Sequence, residues 1–330
     1  MTADTALAVA PVPPALLHQR LADWYAGARR DLPWRAAGTT PWGVFVSEVM
    51  LQQTPVSRVE PVWHEWMARW PEPAGLAAAA PGDAVRAWGR LGYPRRALRL
   101  HAAATAMVHR HAGLVPDSHA ELLDLPGVGA YTAAAVASFA FGLHATVVDT
   151  NIRRVHARLA GGRALPAPAL TRAETALAAE LLPQEPGAAA TWNVAVMELG
   201  ALVCTARSPR CAACPVADLC AWQRAGRPAY DGPVRRGQTW HGTDRQCRGA
   251  LLAVLRAASR PVTRAALAAA WLTDDAQRER CLDSLVADGL VEPLARGRFR
   301  LPGHEHPPAA SPTGQDERHG TEATGPAGPR

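Results

Sequence analysis

Apolar residues recur three and four positions apart through most of the first two thirds of the chain, the spacing that lines one face of an α-helix. The pattern predicts helices over Leu16–Tyr25, Val44–Leu51, Val56–Trp70, Ala84–Trp88, Ala97–His109, Tyr131–Phe141, Ile152–Leu159 and Trp192–Val203. Gly and Pro punctuate these segments and few runs alternate with the period of a strand. Residues 15–223 therefore read as an all-α unit. Residues 224–245 read as a linker, because Gly226, Pro228, Gly232, Pro233 and Gly237 interrupt any helix. A second unit over 246–302 shows helical patterns at Gly249–Ala258, Arg264–Trp271 and Asp275–Asp288. Two short apolar strands follow, Leu290–Leu294 and Phe299–Leu301, joined at Ala295–Arg298. Three helices and a hairpin predict a small winged-helix-like domain, with a helical cap that makes no DNA contact as the alternative. Residues 1–14 and 303–330 lack periodicity and are expected to be disordered.

Composition adds a charge argument. The chain has 330 residues, 48% hydrophobic, with 35 basic side chains against 29 acidic ones, a net charge of +6 and a pI near 9.4. Every basic residue is Arg; lysine is absent. This balance is compatible with a polyanionic partner and with a GC-rich genome alike. The first ten residues carry no base and no apolar run approaches the roughly 20 residues that span a bilayer, so a cytoplasmic protein without membrane contact is expected. In a reducing compartment clustered cysteines point to a metal rather than to disulfides. Cys204, Cys211, Cys214 and Cys220 form C-x6-C-x2-C-x5-C, close enough to surround one inorganic centre. Zinc and a [4Fe-4S] cluster both remain open on spacing, although structural zinc sites usually carry two close pairs and only one occurs here. Cys247 and Cys281 lie outside the pattern and read as core residues.

Three further places carry candidate chemistry. Ser118-His119-Ala120-Glu121 has the form of a capping box, so a short helix can start there and run to Asp124. Leu125-Pro126-Gly127-Val128-Gly129 then breaks it before a helix beginning near Ala130. Gly127 and Gly129 would leave backbone N–H groups exposed at a helix N-terminus, where a phosphate oxygen binds well; an ordinary turn between packed helices is the alternative. Thr40 and Pro41 suit the start of a helix carrying Glu48 on an apolar face. A carboxyl in such surroundings resists ionisation and moves toward the range of a general acid, unless it is exposed or paired. Asp149 stands before a helix at Thr150 and reads either as an N-cap or as a second functional carboxylate.

Taken together, Ser-Glu-Val-Met-Leu-Gln-Gln-Thr at 47–54, Leu-Pro-Gly-Val-Gly at 125–129, Val-Asp-Thr-Asn at 148–151 and the cysteine pattern resemble the MutY adenine DNA glycosylases. These belong to the helix-hairpin-helix, endonuclease III superfamily, and the resemblance runs over roughly residues 16–222. It implies a mainly α helix-hairpin-helix fold with a [4Fe-4S] cluster held by the four cysteines. It also implies removal of adenine mispaired with 8-oxoguanine or guanine in double-stranded DNA, by a monomer. On this resemblance Glu48 protonates the adenine, and Asp149 supports the positive charge that develops at C1′ of the deoxyribose. Trp34 and Arg35 match the adenine-pocket motif, and Asn151 joins the DNA-binding set. Gln53 matches a residue that enters the base stack, beside Gln52. Tyr93 matches a wedge at the lesion, with Pro94 where a second aromatic is common. Tyr131 stands where related lyases carry a Schiff-base lysine, which predicts a monofunctional glycosylase whose Tyr131 contacts the active site. The chain departs from many relatives in lacking an evident Nudix-like C-terminal domain, as in a compact actinobacterial-type form. A thymine glycosylase acting on T·G mismatches and a noncatalytic iron–sulfur DNA-binding protein are the competing readings.

Overall fold

A computed structural model describes residues 14–233 and 240–303, so the expectations of disorder near the two termini fall almost wholly outside the described residues. Helices dominate. In chain order they are α1 (Pro14–Ala28), α2 (Pro41–Leu51), α3 (Val56–Arg69), α4 (Pro73–Ala78), α5 (Pro81–Trp88), α6 (Arg95–Arg110), α7 (His119–Leu123), α8 (Ala130–Phe141), α9 (Thr150–Leu159), α10 (Arg172–Glu180), α11 (Pro186–Leu202) and α12 (Ala221–Arg224). The eight helices expected from periodicity are all present, each longer or shorter by a few residues at its ends. Three others, α4, α10 and the single-turn α12, were not expected. The first has six residues, too few for a period to register. The second is announced by Thr171-x-x-Glu174, a complete capping box in the structure.

Local chemistry sets the ends of the helices that matter most. Thr40 Oγ1 accepts from Gly43 N at 3.2 Å and starts α2 with Pro41 in its first turn. Ser118 caps α7 through Glu121 N at 3.2 Å, and Asp149 caps α9 through Ile152 N at 2.6 Å. No helix among the described residues is long and apolar enough to cross a membrane.

Two helical lobes share one helix. The first lobe buries Trp42, Phe45, Met50, Trp63, Trp66, Trp88 and Leu100 from α2, α3, α5 and α6. The second buries Leu17, Leu21, Ile152, Val155, Trp192 and Val196 from α1, α9 and α11. Between them runs α8, whose Ala133, Val136 and Ala137 face the first core and whose Ala134 and Ala135 face the second. Its composition follows from that place: a helix packed on both sides is apolar all round, and alanine lets both lobes approach closely. α2 packs against α8 from the first lobe and α11, on which α9 rests, packs against it from the second, and the seam between the lobes brings together Glu48, Tyr131 and Asp149.

Gly200 sets the spacing in the second lobe. A Cβ there would stand 2.7 Å from Asn151 Cβ and 3.1 Å from its Cα and carbonyl oxygen. Gly200→Ala must therefore push the N-terminus of α9 away from α11. We expect it to lower stability by about 1–3 kcal/mol and to slow turnover, measured by thermal unfolding and by single-turnover kinetics.

The remaining elements are α13 (Asp244–Ala257), β1 (Val262–Thr263), α14 (Arg264–Ala269), α15 (Asp275–Ala287), β2 (Glu292–Leu294) and β3 (Arg298–Arg300). The strands form one antiparallel sheet in the order β1-β3-β2, with Phe299 opposite both Val262 and Pro293. The two-residue β1 was not expected, and α13 starts two residues before the anticipated boundary at 246. Cys247 and Cys281 are 0% and 1% exposed in the core of this unit. That core, with Leu251, Leu255, Leu282 and Leu285, is continuous with the core of the first lobe. Gly82 N donates to Pro302 O at 2.8 Å, Arg256 Nε donates to Val85 O at 3.0 Å, and Arg95 pairs with Asp288 at 3.2 Å. The C-terminal unit is thus seated on α5 and α6 rather than tethered at a distance.

Candidate active site

The seam opens into a pocket of about 500 Å³ whose walls include Trp34, Arg35, Glu48, Leu51, Tyr131, Asp149 and Asn151. Glu48 enters from the middle of α2, where every residue from Trp42 to Met50 is buried, and is itself 5% exposed. Tyr131 Oη donates to Glu48 Oε2 at 2.8 Å. Burial lifts the Glu48 carboxyl from its ordinary 4.5 to about 7, and the anion of Asp149 adds to the rise. The Tyr131 hydrogen bond and the Arg35 cation act in the opposite direction without overcoming it. A carboxyl near 7 is divided between its acid and anion forms at neutral pH, so it can deliver a proton. Burial, with the neighbouring Glu48 and Asp149 charges, pushes the Tyr131 phenol well above 10. Tyr131 is therefore a fixed neutral donor.

Asp149 comes from the other lobe. Its Oδ1 accepts from Ile152 N at 2.6 Å and its Oδ2 from Asn151 Nδ2 at 2.9 Å, so it caps α9 and faces the pocket at once. Burial raises its pKa, while these hydrogen bonds and Arg154 oppose the rise. Asn151 has both ends of its amide engaged, since Oδ1 accepts from Arg154 Nη2 at 2.7 Å. It orients Asp149 more than it offers free groups to DNA.

Trp34 is 6% exposed and packs edge-on against Trp63 at 5.9 Å, so only a margin of its ring reaches the pocket. Arg35 Nη1 lies 3.1 Å from Glu198 Oε2, yet at an angle that makes no hydrogen bond, which leaves a buried donor without an acceptor. Glu198 is fully buried on α11 and takes three hydrogen bonds from Arg30, from N at 2.9 Å, Nε at 2.8 Å and Nη2 at 2.7 Å. Burial alone would raise its pKa, but Arg30 and Arg35 hold it below 4.5, so the carboxylate is charged. Sequence reasoning passed over Arg30 and Glu198. The signal was the one used for Glu48, a lone acid inside an apolar helix.

At the rim, the chain turns twice in the left-handed region without glycine, at Gln53 (φ 56°) and Tyr93 (φ 47°). Both side chains are exposed, and one guanidinium holds both turns. Arg96, 5% exposed, donates from Nη1 to the carbonyls of Val49, Met50 and Gln52, and from Nη2 to Thr54 Oγ1 and Gly92 O. Such a brace maintains strain of about 1–3 kcal/mol per residue. Gln52 differs from its neighbour, because its amide donates to Thr132 Oγ1 at 3.1 Å and is tied to α8. In the 125–129 turn Gly127 has φ 77°, and a Cβ would stand 2.6 Å from Arg99 Cβ. Gly129 caps α8, and a Cβ there would meet no atom within 4 Å. The turn thus leaves the first N–H groups of α8 open to an approaching chain.

The four clustered cysteines follow α11. Cys204, Cys211, Cys214 and Cys220 line one small pocket beside Arg158 and Trp222. Burial, reinforced by the other three sulfurs, lifts the Cys214 thiol to about 11. Thiols so placed need a cationic centre to become ligands. Four cysteine sulfurs around one pocket are a donor set that fits a [4Fe-4S] cluster. Arg158 Nη1 donates to Cys204 Sγ at 3.3 Å and Arg154 Nε to Cys204 O at 2.7 Å. α9 therefore joins the cysteine loop at one end to Asp149 at the other.

Known proteins converge on the same assignment. The profile of the HhH-GPD superfamily base excision DNA repair proteins matches residues 46–180, and that of the iron–sulfur binding domain of endonuclease III matches 204–220. An adenine DNA glycosylase of Mycobacterium tuberculosis is 57% identical over 281 residues, 85% of this chain and 91% of that protein. The chain belongs to the adenine DNA glycosylase family. Another member, from Mycolicibacterium smegmatis, is 56% identical over 86% of this chain and 95% of its own. A thermostable thymine-DNA glycosylase of known structure is 27% identical with a TM-score of 0.57, covering 64% of this chain and 97% of that one.

This adenine DNA glycosylase is thus an enzyme of base excision repair that cleaves an N-glycosidic bond in DNA, with a helix-hairpin-helix fold and an iron–sulfur binding loop. In the glycosylase the four thiolates would hold a [4Fe-4S] cluster, which when bound ties α9, α11 and α12 together. We expect Cys214→Ser to lose the iron–sulfur absorbance and the bound iron, and to lower the thermal midpoint. Zinc at one equivalent in the parent protein, with no iron, would contradict the assignment.

Proposed function

We propose that this enzyme excises adenine paired with 8-oxoguanine or guanine in duplex DNA, working as a monomer, through Glu48 and Asp149. The observation that carries the reading is the common wall on which Tyr131, Glu48 and Asp149 meet, Tyr131 Oη being 2.8 Å from Glu48. The adenine leaves the duplex and enters the pocket, with Trp34 at its margin and Arg35 in its wall. Glu48 passes its proton to a ring nitrogen, which makes the base a neutral leaving group. The bond from C1′ to the base then breaks and the electron pair leaves with adenine. Positive charge spreads over C1′ and the ring oxygen, where the Asp149 carboxylate stabilises it. Water adds to C1′, gives up a proton and leaves an abasic site.

The phosphodiester chain stays intact after base release, because no lysine is present to form a Schiff base and Tyr131 holds its proton. Gln53 and Tyr93 enter the duplex at the lesion, and Gly127 and Gly129 receive a backbone phosphate. The 244–303 unit is a winged-helix-like domain, with α15 before the β2–β3 hairpin. Likeness to a thymine-DNA glycosylase supports a second reading, action on T·G.

One assay separates them. Purified enzyme is given duplexes with A opposite 8-oxoguanine, A opposite guanine and T opposite guanine, and abasic sites are revealed with alkali. Products from the two adenine duplexes, none from T·G and no nick before alkali are expected; product from T·G alone would overturn the proposal.

A further inference from the structure

Exposed aromatic rings and an unpaired cation meet at one place outside the pocket. Tyr93 is 43% exposed and Trp240 is 49% exposed. Between them lies Arg245, its Cζ 5.0 Å from the Tyr93 ring centroid and 5.5 Å from that of Trp240. Arg245 Nη2 also comes within 4.0 Å of where a Cβ on Gly92 would stand, so the guanidinium sits directly over the Gly92–Tyr93 turn. Among the described residues no carboxylate pairs with Arg245, and its neighbour Asp244 is engaged by Arg280 at 3.5 Å and by Gln277 at 2.9 Å. Tyr93 belongs to the first lobe, whereas Arg245 lies in the first turn of α13. Two units of the chain therefore build this cluster jointly.

Its position gives it a use. Arg96 holds the Gly92–Tyr93 turn and the Gln52–Gln53 turn together, and Thr54, which it also binds, lines the catalytic pocket. The Gly92–Tyr93 turn is thus joined through Arg96 to the wall of that pocket. A guanidinium between two exposed rings presents what a DNA strand binds: N–H donors for phosphate oxygens and flat apolar faces for bases. We infer that Arg245 and Trp240 contact the substrate DNA beside Tyr93, which makes the C-terminal unit part of the DNA-binding face. Arg245 reaches a backbone phosphate, and Trp240 stacks or packs against the sugar and base next to it.

The inference rests on the enzyme's being a DNA glycosylase, and excision by the parent protein in the same preparations keeps the two questions apart. The experiment uses the full chain with Arg245→Ala, Arg245→Lys and Trp240→Ala. Affinity is measured by anisotropy on a duplex carrying a tetrahydrofuran abasic analogue opposite guanine, at several salt concentrations. Arg245→Ala should weaken binding about tenfold and lower the slope of log Kd against log salt by about one. Arg245→Lys should retain the slope. Trp240→Ala should weaken binding about three- to tenfold with the slope unchanged. Single-turnover excision at saturating enzyme should stay within about twofold of the parent for all three. Affinities within twofold of the parent for both alanine variants would overturn the inference. So would a slower excision step with unchanged affinity, since Arg245 would then only brace Tyr93.

Discussion

Glu48→Gln should slow adenine release by about 10²- to 10⁴-fold, the usual worth of a positioned general acid, while duplex binding changes little. Glutamine matches the shape of the carboxyl and can still accept from Tyr131 Oη, so the pocket keeps its form. What disappears is the proton. The same substitution should make the fold more stable at alkaline pH. In the folded protein Glu48 titrates near 7, whereas in the unfolded chain it titrates near 4.5. Between these values the unfolded state releases a proton that the native state retains, so stability falls as pH rises from 4.5 to 7. The difference corresponds to roughly 3 kcal/mol at pH 8, which glutamine would recover there and not at pH 4. Thermal unfolding at the two pH values and single-turnover release measure the two effects. Release within threefold of the parent would remove Glu48 from the chemistry.

Asp149→Asn and Asp149→Ala separate two roles of one carboxylate. Asparagine caps a helix about as well as aspartate, so Asp149→Asn should keep α9 in place. Alanine loses the bond to Ile152 N and should cost about 1 kcal/mol of stability. Both remove the anion. A unit charge about 4 Å from a developing cation is worth roughly 4 kcal/mol at an effective dielectric of 20, so both should slow base release by about 10³-fold. Equal rate losses with unequal thermal midpoints would assign the rate effect to charge. A rate loss that tracks stability would reduce Asp149 to a cap.

Much of this was legible in the sequence because it depends on local order. Thr40-Pro41, Ser118-x-x-Glu121 and Asp149-x-x-Ile152 each start a helix through a bond reaching three residues ahead. A carboxyl at position 48 among Val44, Phe45, Val49 and Met50 announces its own burial. The cysteine spacing likewise lies within one loop. What the sequence did not show was the meeting of distant parts. Glu48 and Tyr131 are 83 residues apart, and Arg30 and Glu198 are 168 apart. Amphipathic faces show that α13 and α15 must pack against something, but not that their core joins that of α5 and α6. Nor does a tyrosine after glycine reveal the left-handed turn at 93, which Arg96 maintains from another helix. β1 is two residues long and exists only because β3 pairs with it.

Proton delivery by Glu48 is read in the pH dependence of the single-turnover rate constant for adenine release from an A·8-oxoguanine duplex. With Glu48 as the acid titrating near 7, the rate should be level about a unit and more below that pH, halve at it, and fall about tenfold per unit well above it. That break should vanish in Glu48→Gln. A rate constant that is flat from pH 6 to 9 in the parent enzyme would contradict proton delivery by Glu48.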